Sequence, residues 1–480
     1  MHQVYELNVR AWRAERSEAL GRTATLDDLP YEILDHLVEG GFTWLYLLGV
    51  WRTGPLSRAA ALKDTAQIEH LARVLPGFSE ADVAGSPMAI MGYEVMSELG
   101  GDESLARLRE RAQACGLSLM LDFVPNHVGL DHSWARQHPE WFILGDEYRL
   151  RTHPEAWCRL HGLIFAHGRD PFFAPWTATL QLDFAKSEVQ EAVIREACSI
   201  ASRCDGLRVD EAMLVLDDVF EGTWGRRGPD FWKPCLARVR SEHPGTVFMA
   251  EVYWNLEYRL QQEGFDFTYD KTLYDRLLDG DAESVRAHLR AGLDYQHHCV
   301  RFVENEDEQR AATRFADPDR HRAALLVTGM IPGLLLCHHG QEDGLRLHSP
   351  LIAARRPPEE GSEPHRRAYR ELLHLLAEPA RHDGTWRLLE PVGLQGRSLV
   401  ACLWSLPSFH QLLVVVNLSG SAVKGVIEAG PLVDRDCQFL DQTAPEAQSF
   451  TLSGAELLER GIPIALPAWG AVAYRIMILH

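Results

Sequence analysis

No stretch of this 480-residue chain approaches the about 20 consecutive apolar residues that a bilayer-spanning helix needs. An integral membrane protein of the helical kind is therefore not expected. The opening residues, Met1 to Arg10, interleave charged and polar side chains with apolar ones where a secretion signal needs an unbroken apolar core, so a cytoplasmic location is expected. Positive charge is scarce: 48 Lys and Arg stand against 68 Asp and Glu, a net −20. Such a surface repels a phosphate backbone on average, which argues against nucleic acid as a partner. Cysteine offers no scaffold either, because the nine are odd in number and scattered, unlike the paired sets of small secreted domains. The one local cluster, Cys337-His338-His339, follows the apolar run Ile331 to Leu336. Neighbours on a strand face opposite ways, so strand-end packing is expected there rather than a shared metal. Low-complexity tracts and solenoid repeats are missing as well.

What is present is the balance of a folded soluble protein, 46% hydrophobic and 24% charged. Short apolar runs alternate with amphipathic helical stretches, the pattern of parallel strands with helical crossovers. Candidate strands are Val4–Leu7, Trp44–Leu48, Leu117–Leu121, Gly206–Val209, Val247–Ala250, Asp266–Thr268, Val300–Val303 and Gly333–Cys337. Eight strands over most of the chain predict an α/β fold, a (β/α)8 TIM barrel. Between them, Glu103 to Cys115 carries Leu105, Leu108 and Ala112 on one face and ends at Gly116. The helix from Ser187 to about Arg203 begins with a capping-box pattern, Ser187 with Gln190. The longest interval, from Asp122 to Asp210, requires an inserted subdomain, and its His, Trp and Phe residues suit a binding cleft. After about Pro379 the runs alternate without long helices, as in Leu399–Trp404 and Gln411–Asn417, which predicts a small antiparallel β domain.

In such a barrel the residues just beyond each strand decide the chemistry. After the third run stand Asp122, Asn126 and His127; after the fourth, Arg208 and Asp210; after the fifth, Glu251; after the seventh, Glu304, Asn305, Glu306 and Asp307. An acidic residue after a strand is, taken alone, usually a helix cap or a solvated loop charge. Together, Asp210, Glu251 and Asp307 approach one mouth from three strands. Such a cluster binds a divalent metal or cleaves glycosidic bonds, and with His127 the one well-placed histidine the second use is favoured. Arg208, two residues before Asp210 on the same strand face, is expected to keep that carboxylate ionised.

These motifs, in this order, resemble the α-amylase family, the family 13 glycoside hydrolases. The first motif is met by Asp122, Asn126 and His127, the second by Gly206, Arg208 and Asp210, the third by Glu251, the fourth by Asn305 and Asp307. Weaker echoes are Tyr93, the Gln181-Leu182-Asp183 segment and Gly340 to Gly344. The resemblance implies a barrel in two parts, 1–127 and 185–380, an inserted domain B over 128–184 and a C-terminal β-sandwich over 381–480. It implies Asp210 as nucleophile, Glu251 as general acid/base with a carboxyl raised by neighbouring negative charge, and Asp307 as a grip on sugar hydroxyls. Tyr93, His127, Arg208, Glu306 and Asp122 would line the substrate site, Tyr93 by stacking. Asn126 and Asp183 match positions that hold structural calcium in many relatives, but two side chains fall short of the six to eight oxygens such an ion takes, so no cofactor is required by this reading.

Three departures shape the expectation. The fourth motif ordinarily reads Asn-His-Asp, yet Glu306 stands in the middle; it is expected to accept hydrogen bonds from sugar hydroxyls or to pair with Arg310 or Arg208. Met213 and Leu214 replace the Lys and His that serve acceptor subsites in many amylases, which predicts a less polar acceptor side. Gly92 occupies a place where related sequences often carry Asp. Of the tryptophans, Trp51, Trp134, Trp157, Trp176 and Trp254 are candidate sugar platforms or core anchors. The reading is a retaining α-glycosidase or transglycosidase acting on α-glucosides or short malto-oligosaccharides. The alternatives are an α-glucoside phosphorylase and a non-catalytic carbohydrate-binding barrel; oligomeric state is not legible.

Overall fold

Eight short strands joined by helical segments close into a parallel barrel in the computed structural model, which describes residues 3–407, 410–433, 435–443 and 448–479. They are β1 (Gln3–Asn8), β2 (Trp44–Leu48), β3 (Ser118–Phe123), β4 (Gly206–Val209), β5 (Val247–Ala250), β6 (Phe267–Tyr269), β7 (Cys299–Arg301) and β8 (Leu334–His338). Their order around the barrel is β1-β8-β7-β6-β5-β4-β3-β2. Each coincides with one of the eight apolar runs of the sequence, within two residues at either end. Runs as apolar as Trp44–Leu48, buried at all five positions, are what strands covered on both faces require.

The chain divides into two compact units. One comprises Val4–Tyr269 and Leu347–Pro358 and carries β1 to β6. Its ladders run Val4↔Trp44 between β1 and β2, Trp44↔Ser118 between β2 and β3, Gly206↔Met120 between β4 and β3, and Gly206↔Val247 between β4 and β5. Helix α1 (Gly101–Cys115) follows β2 and ends on Gly116 at φ 94°, a left-handed cap that glycine adopts without strain. Between β3 and β4, two antiparallel pairs, His127–Gly129 with Thr179–Gln181 and Trp157–Leu160 with Leu163–Ala166, build the inserted segment. Helix α2 (Ser187–Ala201) then returns to β4. The expected capping box at its start does not form. Its N-cap is Lys186, and Gln190 instead donates to the carbonyls of Phe184 and Pro229.

The other unit comprises Met1–Gln3, Asp270–Arg346 and Glu359–His480 and carries β7 and β8, paired at Val300↔Leu334. It also holds a six-stranded antiparallel sheet in the order Thr385–Leu389, Leu399–Ser405, His410–Asn417, Ala471–Ile478, Cys437–Asp441, Ser449–Leu452. A two-stranded ladder, Val423–Ile427 with Ile462–Leu466, shares a core with it through Leu403, Val415, Phe439, Ile427 and Ile464. That makes a lopsided sandwich. Trp404, on this sheet, donates its indole N–H to the Met330 carbonyl and lies 4.5 Å from the Arg381 guanidinium, whose Nη2 in turn donates to Gly329. None of the nine cysteines is in a disulfide. Among the described residues no helix is long and apolar enough to cross a membrane.

Candidate active site

The strand β4 ends at Val209, and the chain just beyond it is tied to both neighbouring strands by main-chain bonds. The Asp210 N–H donates to Phe123 O of β3 at 2.9 Å, the Glu251 N–H to Val209 O at 2.9 Å and the Ala212 N–H to Glu251 O at 3.0 Å. These bonds extend the β4–β5 register, Val209↔Ala250, by one step and set Asp210 and Glu251 side by side at the exits of adjacent strands. Arg208 is 1% exposed, and its guanidinium spans the pair: Nη1 lies 2.9 Å from Asp210 Oδ1 and Nη2 2.8 Å from Glu251 Oε2. The Tyr269 ring, from the end of β6, faces that guanidinium at 5.7 Å.

The two carboxylates are not equivalent. Glu251 receives three donors: Arg208, the Glu211 main-chain N–H at 2.9 Å and the Tyr253 hydroxyl at 2.8 Å. Asp210 is bonded by Arg208, and burial, with the charge of Glu251 second, pushes its carboxyl up to about 7. Glu211 makes this arrangement possible: its φ of 44° is left-handed, unusual for a residue with a side chain, and turns its N–H onto Glu251. Neither Glu211 nor Tyr253 was legible as a site residue, although Tyr253, two positions beyond Glu251, repeats the spacing of Arg208 and Asp210.

The other expected residues of this unit divide. His127 is buried, with its ring 5.1 Å from Trp176, and burial lowers its imidazole to about 4, so it is neutral near pH 7. Tyr93 is half-buried; its hydroxyl accepts from Val124 N at 3.0 Å and donates to Val124 O at 3.1 Å, while its ring meets Trp51 edge-on at 5.5 Å. Its hydroxyl is therefore spent on the chain and its ring remains for contact. Asp122 does not fit the expected role of touching substrate. It is 1% exposed, and its oxygens accept from the Tyr46 hydroxyl at 2.5 Å and the Gly49 N–H at 2.8 Å, fixing the turn after β2. Met213 and Leu214 are buried in the turn Ala212–Val215. Trp51 is a core anchor, fully buried and bonded to Asp122 O.

In the other unit, β7 leads into Glu304 to Asp307. Glu304 is buried; it accepts from Ala311 N and pairs with Arg310 at 3.2 Å. Arg310 is thus a partner of Glu304. The Asn305 side chain accepts from the main-chain N–H groups of Asp307 and Glu308, a turn that leaves Glu306 buried and Asp307 exposed.

Asn126 and Asp183 are the side chains that the implied calcium would require. Asn126 Oδ1 accepts from Gln181 Nε2 at 2.9 Å. Asp183, fully buried, is paired with Arg226 and lies 3.9 Å from Lys186 Nζ. One Asp183 oxygen is left without a partner, which is far short of the oxygens calcium takes, and a guanidinium already supplies positive charge. These residues do not fit a calcium cage.

The family profile "Alpha amylase, catalytic domain" matches residues 85–363, more than half of the chain. An α-1,4-glucan:maltose-1-phosphate maltosyltransferase of Cereibacter sphaeroides is 26% identical over 287 residues, 56% of this chain and 41% of that protein. Alpha-amylase 3 of Dictyoglomus thermophilum is 22% identical over 287 residues, 55% of each. The chain therefore spans about half, or less, of the length of these curated relatives. Among solved structures, the noncanonic maltogenic α-amylase AmyB of Thermotoga neapolitana superposes with a TM-score of 0.72 at 19% identity, covering 100% of this chain and 99% of that one. The barrel, the ordered motifs and the extent of the profile match lead to one conclusion: the chain belongs to the α-amylase family.

Proposed function

We propose that this protein is a retaining α-glycosidase or transglycosidase acting on α-glucosides or short malto-oligosaccharides. The observation that carries the reading is one buried guanidinium, Arg208, spanning two carboxylates at adjacent strand exits. Adjacent strands lie about 4.8 Å apart, close to the carboxyl spacing of about 5–5.5 Å that retention requires. In the first step an Asp210 oxygen attacks the anomeric carbon. The glycosidic bond breaks with its electrons on the leaving oxygen, which takes the proton of Glu251. Water or a sugar hydroxyl then attacks that carbon, gives its proton to Glu251 and frees Asp210. Arg208, bonded to both, leaves neither carboxylate without a counter-charge as Glu251 gives up its proton and regains it. Asp307 is assigned to sugar hydroxyls, with Glu306 accepting from others, and His127 as a neutral hydrogen-bonding group.

A panel of α-linked disaccharides and malto-oligosaccharides, with products separated by chromatography, tests this reading. Products whose first-formed anomer is α are expected, as free sugar or as transfer product. A first-formed β anomer, sugar-1-phosphate made only with phosphate present, or no turnover of any α-glucoside would refute it. Calcium is proposed to be dispensable, with Arg226 holding Asp183. The thermal unfolding midpoint is expected to be the same in excess EDTA as in millimolar calcium, and lower in Arg226→Ala. A midpoint that drops in EDTA and recovers with calcium would show that an ion binds.

A further inference from the structure

Glu251 offers its two oxygens to different kinds of partner. Oε2 lies 2.8 Å from Arg208 Nη2 and accepts from the Glu211 main-chain N–H at 2.9 Å. Oε1 has the Tyr253 hydroxyl at 2.8 Å. The chain leaving β5 sets that hydroxyl in place. Val252 is fully buried, so Glu251 and Tyr253, two residues apart, share the opposite side of the chain. Directly after Tyr253 the chain turns back through Trp254 and Asn255, at φ 63° and 59°, and the Leu256 N–H donates to Tyr253 O at 3.3 Å. Asparagine visits this left-handed region readily and tryptophan rarely, and such strain persists where the surrounding structure fixes a functional group.

The hydroxyl differs in kind from the other two groups on Glu251. A guanidinium and a main-chain N–H only donate, so a proton on Oε2 would face two donors and no acceptor. A phenol does both: it donates to Oε1 of the carboxylate and, after rotation about its C–O bond, accepts from Oε1 when that oxygen carries the proton. We propose that Tyr253 is a positioning residue that makes Oε1 the proton-bearing oxygen of Glu251 and holds the carboxyl in the orientation from which that proton is delivered. The proposal rests on the assignment of Glu251 as acid/base. In the first step the Oε1–H bond breaks, the proton passes to the leaving oxygen, the electron pair stays on Oε1, and the Tyr253 hydroxyl turns to donate to it. In the second step the attacking water or sugar hydroxyl returns a proton to Oε1, and the Tyr253 hydroxyl turns back. Tyr253 itself neither gains nor loses a proton.

Tyr253→Phe keeps the ring and removes the hydroxyl. Its effect is read on two donors: maltopentaose, whose leaving sugar oxygen needs a proton, and α-maltosyl fluoride, whose fluoride ion departs without one. In the variant kcat/KM for maltopentaose is expected to fall by about tenfold or more, through kcat rather than KM, while kcat/KM for the fluoride changes by less than about twofold. Across a series of aryl α-maltosides the loss is expected to shrink as the leaving phenol becomes more acidic. Damage to the fold would lower both donors alike, so the ratio isolates the hydroxyl. An equal fall on both donors, or no fall on maltopentaose, would overturn the proposal and leave Glu251 in its role. A wild-type protein that consumes neither donor would remove the acid/base assignment and the proposal with it.

Discussion

Replacing Asp210 with asparagine is expected to lower kcat on α-glucosides by about 10⁴-fold or more while changing substrate binding by less than about tenfold. The amide keeps the shape of the carboxyl, and its oxygen can still accept from Arg208 Nη1, but it cannot form the covalent bond to the sugar. Steady-state kinetics and calorimetric binding of a malto-oligosaccharide measure the two quantities. Unchanged turnover would remove Asp210 from its role. The same variant carries a second expectation, because its carboxyl is raised in the folded protein, to about 7 against an ordinary 3.8. The folded state then binds the proton more tightly than the unfolded chain. Stability from this group is fully present below about pH 3.8 and is lost as the pH rises toward 7. Asp210→Asn does not suffer that loss, so its unfolding free energy should gain on that of the parent between pH 5 and pH 8, by on the order of 2 kcal/mol. A difference that stays constant over that range would show that burial does not hold the proton on Asp210.

Glu251→Gln is expected to cost about 10²- to 10⁴-fold on malto-oligosaccharides, the range for losing a placed general acid. With α-glucosyl fluoride, which needs no protonation to leave, formation of the intermediate should persist and its hydrolysis become limiting. Azide, an anionic nucleophile that needs no base, should then speed turnover and yield an α-glucosyl azide. An equal loss on both donors with no response to azide would show that Glu251 does not act in proton transfer. The loss has a structural counterpart, since the glutamine amide would face donors from Arg208, Glu211 and Tyr253, all aimed at a carboxylate.

The barrel was legible because burial on both faces demands unbroken apolar runs, and the eight runs have few competing explanations. Asp210, Glu251 and Arg208 were legible because strand exits concentrate function and Arg208 shares a strand face with Asp210. What escaped depends on single dihedral angles and on contacts between distant segments. Glu211 reads as one more acidic loop residue until its φ is known. Ser187 carries a capping pattern, but the chain enters its helix one residue earlier and Gln190 finds the carbonyls of Phe184 and Pro229. Asp122 carries the first motif, yet Tyr46 and Gly49 use both its oxygens. That Met213 and Leu214 are buried was not legible, because sequence position alone does not say whether a side chain next to the site faces the cleft or the core.

The central claim is that Asp210 forms a bond to the sugar, and trapping that bond tests it most directly. Incubation with a 5-fluoro-α-glucosyl fluoride, in which the ring fluorine slows breakdown of the glycosyl-enzyme, followed by proteolysis and mass spectrometry, locates the attachment. The account predicts one added sugar per chain, on the peptide that contains Asp210 and on that side chain. A sugar found on Glu251, on Asp307 or on any other residue, or donor consumed with no residue labelled, would contradict it.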